Sequence, residues 1–351
     1  MLISAREQHE DGRRVTVARR SIYEGVMIGV LTLAHQSRDW NWRQPIIALG
    51  TVLLLASHVQ ATGQQRFKSP DEAANALIVA AKAEDLKQVL AILGPAGRDI
   101  ISSGDKVADK NARAKFLSAY DAGNKISNEG ADRATLVVGK AEWPFPIPLV
   151  QREGQWFFDA VAGRQEILFR RIGRNERATI QVCLAYVDAQ NEYAQMDVQK
   201  TGLPVYAERL ISHPGKKDGL YWPSKEGEQA SPLGALAASA VREGYQMGGG
   251  GTPYYGYYYK ILKRQGPAAT GGAYDYVAHG KMIGGFSLVA YPAEYGNSGV
   301  MTFIVNHNGI VFEKDLGPST SKTASEMVSF NPDGTTWKKV SPEDVAAEKA
   351  K

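Results

Sequence analysis

Arg164–Met196, RQEILFRRIGRNERATIQVCLAYVDAQNEYAQM, decides the fold of this chain. Leu168, Ile172, Thr179, Val182, Tyr186, Ala189 and Tyr193 recur at steps of three, four and seven residues, the spacing of one helix face. At 1.5 Å per residue the predicted helix is about 45–50 Å long, with Gly173 as the place for a kink. Its first half is basic, with Arg164, Arg170, Arg171, Arg174 and Arg177 set against Glu166 and Glu176. That half reads as a solvated face or a bridge to the preceding segment, or else as an anion or partner contact. Cys183 lies beside the stripe with no cationic neighbour in sequence, so it reads as a buried small hydrophobe rather than a nucleophile.

An apolar stripe of this length needs a sheet to cover it, and the sequence supplies one. Asp197 to Glu228 is loop-rich, and Ser231-Pro232-Leu233 opens an alanine-rich helix to about Glu243. Strands are predicted at Tyr257–Leu262, Met282–Tyr291, Val300–Val305 and Ile310–Lys314. Asn306-His307-Asn308-Gly309 between the last two is a strong hairpin signal.

Upstream, Ser69-Pro70-Asp71-Glu72 carries a cap, a first-turn proline and a capping-box glutamate. Further helices are predicted at Asp85–Leu93, ending at Gly94-Pro95, and at Asn111–Tyr120. Strands follow at Ala134–Val138 and in a hairpin of Leu149-Val150 and Trp156–Phe158, with the proline-rich Trp143–Pro148 as an extended edge. Trp143, Phe145, Trp156 and Phe158 read as core packing or as the lining of a pocket.

The predicted fold is therefore α+β. A small helix-plus-bent-sheet domain spans 62–161, and the long helix with its antiparallel sheet spans 162–340. A flexible charged tail fills 341–351.

The composition excludes several classes. Of 351 residues, 44% are hydrophobic and 22% charged, which is that of a folded globular chain. A net charge of +4 gives no reason to expect a nucleic-acid partner, and one cysteine excludes a disulfide framework or a cysteine-based zinc site. Pro45–Val59, PIIALGTVLLLASHV, follows Arg43 and precedes small residues up to Ala61, the pattern of a signal peptide cleaved near Ala61. Export to the periplasm or beyond is expected, with no stable membrane span in the mature chain. Such a segment does not begin some forty residues downstream of its start, so residues 1–61 read as a misassigned start, with Met27 as one true start, followed by the signal peptide.

Candidate chemistry is sparse. The glycine run Gly248–Gly251 lacks the features of a phosphate loop, and neither a GxSxG elbow nor an HExxH pair occurs. No metal or cofactor is expected. If the protein is an enzyme, the acid–base candidates are His213 or His279 with Asp218 or Asp275, while His307 in the hairpin turn reads as exposed. The tyrosines Tyr245, Tyr254, Tyr255, Tyr257, Tyr258 and Tyr259 crowd one region. With Trp222, the set Tyr254, Tyr255, Tyr257 and Tyr259 forms a candidate binding surface for an envelope protein or a glycan, the alternative being sheet packing.

Two resemblances follow. WPFPIPLV at 143–150, RRIGRNE at 170–176, KDGLYW at 217–222, and the stretches 253–266 and 282–303 resemble the bacterial exported family called domain of unknown function 2950. That resemblance implies no activity. Asn175-Glu176, Ile180 and Tyr186–Ala194 are similar to the soluble half of a pilin or pseudopilin helix. Gly256–Tyr259, Ala290–Pro292, Gly299–Phe303 and Gly309-Ile310 are similar to the sheet of such a headgroup. This implies the headgroup fold, whereas four arginines from Arg170 to Arg177 stand where a pilin has its apolar polymerising segment. The function expected is a non-catalytic module binding or assembling at the cell envelope, with an extracytoplasmic hydrolase of dispersed His, Asp and Glu residues as the rival.

Overall fold

A computed structural model describes residues 63–246 and 251–341, and the expectations for residues 1–61 and most of the tail lie outside that range. The described residues belong to one compact unit.

Local capping sets the first helices. In α1 (Pro70–Lys82) the Glu72 amide donates to Ser69 Oγ at 3.1 Å, and Glu72 reaches back to the Lys68 amide at 2.9 Å. Asp85 caps α2 (Leu86–Leu93), which ends at Gly94, and α3 (Arg98–Ile101) is one short turn. α4 (Lys106–Ala122) starts earlier than its apolar spacing indicates, because Asp105 caps it through the Val107 and Ala108 amides.

The first sheet contains β1 (Asn124–Asn128), β2 (Arg133–Val138), β3 (Trp143–Pro144), β4 (Leu149–Arg152) and β5 (Gln155–Phe158). Its order is β1-β2-β4-β5, antiparallel, with β3 paired to β2. α1, α2 and this sheet close over a core of Phe67, Leu77, Ile92, Ile147, Leu149 and Phe158. Trp156 and Phe158 are buried, Phe145 packs against that core, and Trp143 is largely exposed.

The long helix α5 (Ala160–Gln195) begins at the Asp159 cap and runs through Gly173 without a break in assignment. At 36 residues it is about 54 Å long. Its first turns lie on the first body, where Gly163 sits against the Pro146–Ile147 backbone. Its last turns send Ile180, Cys183, Tyr186 and Tyr193 into a second core with Leu288, Ala290, Phe303 and Val305.

α6 (Gly234–Arg242) precedes β6 (Tyr257–Leu262), β7 (Arg264–Gln265), β8 (Tyr274–Asp275), β9 (Val277–Ala278) and β10 (Lys281–Met282). β11 (Ser287–Pro292), β12 (Met301–Asn306), β13 (Phe312–Asp315), α7 (Thr320–Ser325) and β14 (Lys338–Lys339) complete the chain. The second sheet runs β14-β13-β12-β11-β6, all antiparallel. Alternation along β11 and β12 gives Leu288, Ala290, Phe303 and Val305 to α5. The opposite face gives Val289 and Ile304 to Ala324, Phe330 and Trp337. Both faces are covered, which accounts for the near-continuous apolar run of these strands.

Two expectations are corrected, and one strand is unexpected. The strand expected over Met282–Tyr291 is broken, since Gly284 and Gly285 separate β10 from β11. β1 carries little apolar signal, because it is a mostly exposed edge with one half-buried residue, Ile126. His307 is half-buried rather than exposed, with its ring edge-on to Tyr276 and Phe286. Burial lowers the His307 pKa, so the imidazole is neutral at pH 7.

Candidate functional site

The tyrosine-rich segment turns sharply before it becomes β6. Tyr254 and Tyr257 exchange backbone hydrogen bonds of 2.9 and 3.1 Å, with Tyr255 and Gly256 both at positive φ, the pattern of a tight primed turn. The turn is clamped from the first body, where Asp105 Oδ2 accepts from the Gly256 amide at 3.0 Å and from the Tyr245 hydroxyl at 2.8 Å. Gly256 admits no side chain, because a Cβ there would lie 2.7 Å from Asn175 Nδ2.

This clamp fixes one wall of a cavity of about 160 Å³. Val182 and Tyr186 from α5 and Leu236 and Ala240 from α6 form the apolar side. Tyr254 and Tyr259 face them, with Tyr245 and Tyr221 also in the lining. The Tyr259 hydroxyl donates to the Tyr254 carbonyl at 3.2 Å, and the Tyr186 hydroxyl to the Ser287 carbonyl at 3.2 Å. The Tyr254 hydroxyl is buried. Burial, then a hydrogen bond with Tyr255 and the nearby charge of Glu243, pushes its pKa far up, so it stays neutral. The Tyr255 hydroxyl donates to Glu243 at 2.9 Å.

The predicted binding residues therefore divide. Tyr254 and Tyr259 line the cavity, and Tyr255 stacks beside Tyr254 with ring centroids 4.3 Å apart. Tyr257 and Trp222 do not form a surface. Tyr257 is 0% exposed with its hydroxyl on the Met301 carbonyl, and Trp222 is 4% exposed under the Lys217 ammonium. Period-two alternation turns Tyr257 inward, and the Tyr193 ring packs against Trp222.

Of the acid–base candidates, His213 and Asp218 meet. The His213 ring lies 2.5 Å from Asp218, whose other oxygen accepts the His213 amide at 2.8 Å. Burial raises the Asp218 pKa, but the hydrogen bonds from His213 outweigh it and hold the carboxyl below its ordinary value. The pair closes an exposed loop outside the cavity lining, and the hydroxyl of neighbouring Ser212 is engaged with the Gly219 backbone. His279 and Asp275 are not brought together. His279 is exposed at φ 51 in the β9–β10 turn, while Asp275 pairs with Arg264 at 3.1 Å. Among the described residues, no group of three His, Cys, Asp or Glu side chains is placed to hold a metal ion. No described helix is long and apolar enough to cross a membrane.

In the basic half of α5, Arg171 turns inward, while Arg164, Arg170, Arg174 and Arg177 are exposed. Arg171 donates to the Asp99 carbonyl at 2.6 Å, to Asn297 at 2.5 Å and to the Ile100 carbonyl. Asn175 donates to the Ser298 carbonyl, and Glu176 accepts both the Val300 and Met301 amides at 2.9 Å. The run RRIGRNE thus grips the 294–301 loop and ties it to the first body.

A family model described as a protein of unknown function (DUF2950) matches residues 64–340. The chain belongs to that family. No curated protein and no solved structure matches it, so the pilin-headgroup resemblance is left without support from a known structure. In this DUF2950 member, RRIGRNE at 170–176, one of the stretches behind the family resemblance, holds the 294–301 loop against α5. The site residues that sequence reading missed as a set are Val182, Tyr186, Tyr221, Leu236 and Ala240. Each looks like ordinary core in sequence, and only the fold brings them around one void.

Proposed function

We propose that the protein is an exported, non-catalytic binding module of the cell envelope that takes one apolar side chain of a protein partner into the tyrosine-walled cavity. The observation that carries this reading is the cavity itself. Its volume of about 160 Å³ matches the roughly 150 Å³ of an apolar void that accepts benzene. Drug-sized ligands use about 300–1,000 Å³. The apolar walls also favour a hydrocarbon group over a glycan, whose hydroxyls would lose water without replacement. Buried aromatic anchors in such pockets dominate many protein interfaces. Export rests on the apolar segment Pro45–Val59 and the small residues that follow it.

The test is a photo-crosslinking residue placed at Gln246, on the cavity lining, in cells expressing the full-length chain. One reproducible envelope adduct, lost when Leu236→Trp fills the cavity, is expected. Identical adducts with and without the filled cavity would overturn the binding role. A mature chain beginning at Thr62 is expected in the same peptides, and one beginning at Met1 in the cytoplasm would overturn export.

The His213–Asp218 contact favours a second reading, an extracytoplasmic hydrolase. Hydrolysis of ester or glycoside substrates that disappears in His213→Ala would establish it in place of the first.

A further inference from the structure

The first sheet has an outer face opposite its core. Phe67 exchanges backbone hydrogen bonds of 2.8 Å with Trp156, so residues 66–68 extend the sheet beyond β5. Phe67, Leu149, Trp156 and Phe158 belong to the core under α1 and α2. Alternation therefore sends Arg66, Lys68, Val150, Arg152 and Phe157 to the other side. Register carries this outer row onward, with Val150 opposite Phe157 and Arg133 opposite Val150. Phe157 is 9% exposed, and charge lies over it. The Arg66 guanidinium is 4.9 Å and the Arg152 guanidinium 5.5 Å from its ring centroid.

Arg133 is matched by Glu129, and Lys125 by Glu142. Arg66, Lys68 and Arg152 are exposed and form no ion pair among the described residues. Stacking on a shared ring positions the two guanidinium groups while their N–H edges stay open. Three unmatched cations on an open sheet face call for an anionic counterpart. The face lacks the exposed aromatic anchor that a protein partner uses, since Phe157 is covered and Val150 half-buried. It suits the phosphate layer of a bilayer, which attracts spread basic side chains without a pocket. The sequence adds proximity. Pro45–Val59 ends seven residues before Arg66, a length that reaches at most about 25 Å. A bilayer that takes up this apolar stretch therefore lies within reach of the face.

We propose that the face formed by Arg66, Lys68 and Arg152 docks on the anionic phospholipid surface of the membrane. None of the three lines the tyrosine-walled cavity, so the two surfaces can act independently. Each basic residue near such a surface is worth roughly a fivefold gain in binding, which salt screens.

The experiment floats the full-length chain with vesicles of phosphatidylcholine, alone or mixed with phosphatidylglycerol. The apolar stretch acts on both kinds alike, so the ratio of the two affinities reads the charges. A preference for anionic vesicles that fades at high salt is expected. Arg66→Gln/Lys68→Gln/Arg152→Gln is expected to lower it about a hundredfold, with binding to neutral vesicles unchanged. Each single change is expected to lower it about fivefold, which keeps the test available where the triple variant unfolds. Arg170→Gln/Arg174→Gln/Arg177→Gln removes the same charge from the exposed side of α5 and is expected to leave the preference intact. An equal loss there would overturn the role of this face in favour of net charge alone. Equal binding of the wild type to both kinds of vesicle would overturn the proposal. Binding to poly-glutamate in place of anionic vesicles would assign the face to an acidic protein instead.

Discussion

The Tyr245 hydroxyl donates a 2.8 Å hydrogen bond to Asp105, a carboxylate 1% exposed and 140 residues earlier in the chain. Asp105 also accepts the Gly256 amide and caps α4, so one side chain joins a helix start to the wall of the cavity.

Removing either partner should separate these roles. Tyr245→Phe deletes one bond to a charged group, an expected loss of about 1.5–3 kcal/mol. Asp105→Ala removes the cap and orphans two buried donors, an expected loss of about 3–5 kcal/mol. Urea unfolding of both variants measures the difference, and equal losses would contradict a shared clamp.

Two glycines of α5 should respond to alanine with opposite signs. A Cβ on Gly173 meets nothing within 4 Å, so Gly173→Ala should gain about 0.5–1 kcal/mol from helix propensity. A Cβ on Gly163 would lie 2.7 Å from Ile147 Cα and the Pro146 carbonyl. Backbone cannot yield there, and Gly163→Ala should lose about 1–3 kcal/mol despite the better propensity. Thermal denaturation of the pair checks the sign.

Acid should loosen the turn at 333–337. The Asp333 carboxylate accepts from the Thr336 hydroxyl at 2.5 Å and from the Thr335, Thr336 and Trp337 amides. These bonds, the Thr336 hydroxyl foremost, hold its pKa well below the ordinary 3.8. A depressed carboxylate stabilises the fold fully above pH 3.8 and loses that effect as pH falls further. Carboxyl NMR titration should give a midpoint below 3.8, and Asp333→Asn should flatten this part of the acid profile.

Cys183 should be inert in the native protein. It is 0% exposed in the second core, and burial raises its thiol pKa to about 12. No thiolate forms at pH 8, so a disulfide-exchange reagent should react only at the rate of unfolding. Rapid native labelling would contradict the buried placement.

What the sequence discloses is mainly local. Ser69, Glu72 and Asp85 announce their helices because a cap acts within four residues. The stripe from Leu168 to Tyr193 announces α5 because its period is set by the helix alone. The cross-chain partners of Asp105, Tyr245 and Gly256, and those of Arg171 lie more than 70 residues away, where no spacing rule reaches. Tyr254 and Tyr257 are three residues apart with the same chemistry, yet one lines a void and the other fills the core. Only the turn at Tyr255-Gly256 decides between them. Among the four acid–base candidates, the contact of His213 with Asp218 was legible because a five-residue loop closes on itself, whereas the pairing of Asp275 with Arg264 across a strand was not.

The single rod of α5 serves both sheets, and this limits how such a protein can change over generations. A recombination joint anywhere between Ala160 and Gln195 would leave each product half a rod with bare apolar surface. Exchange of one half for another is therefore expected to fail unless the whole rod travels with it.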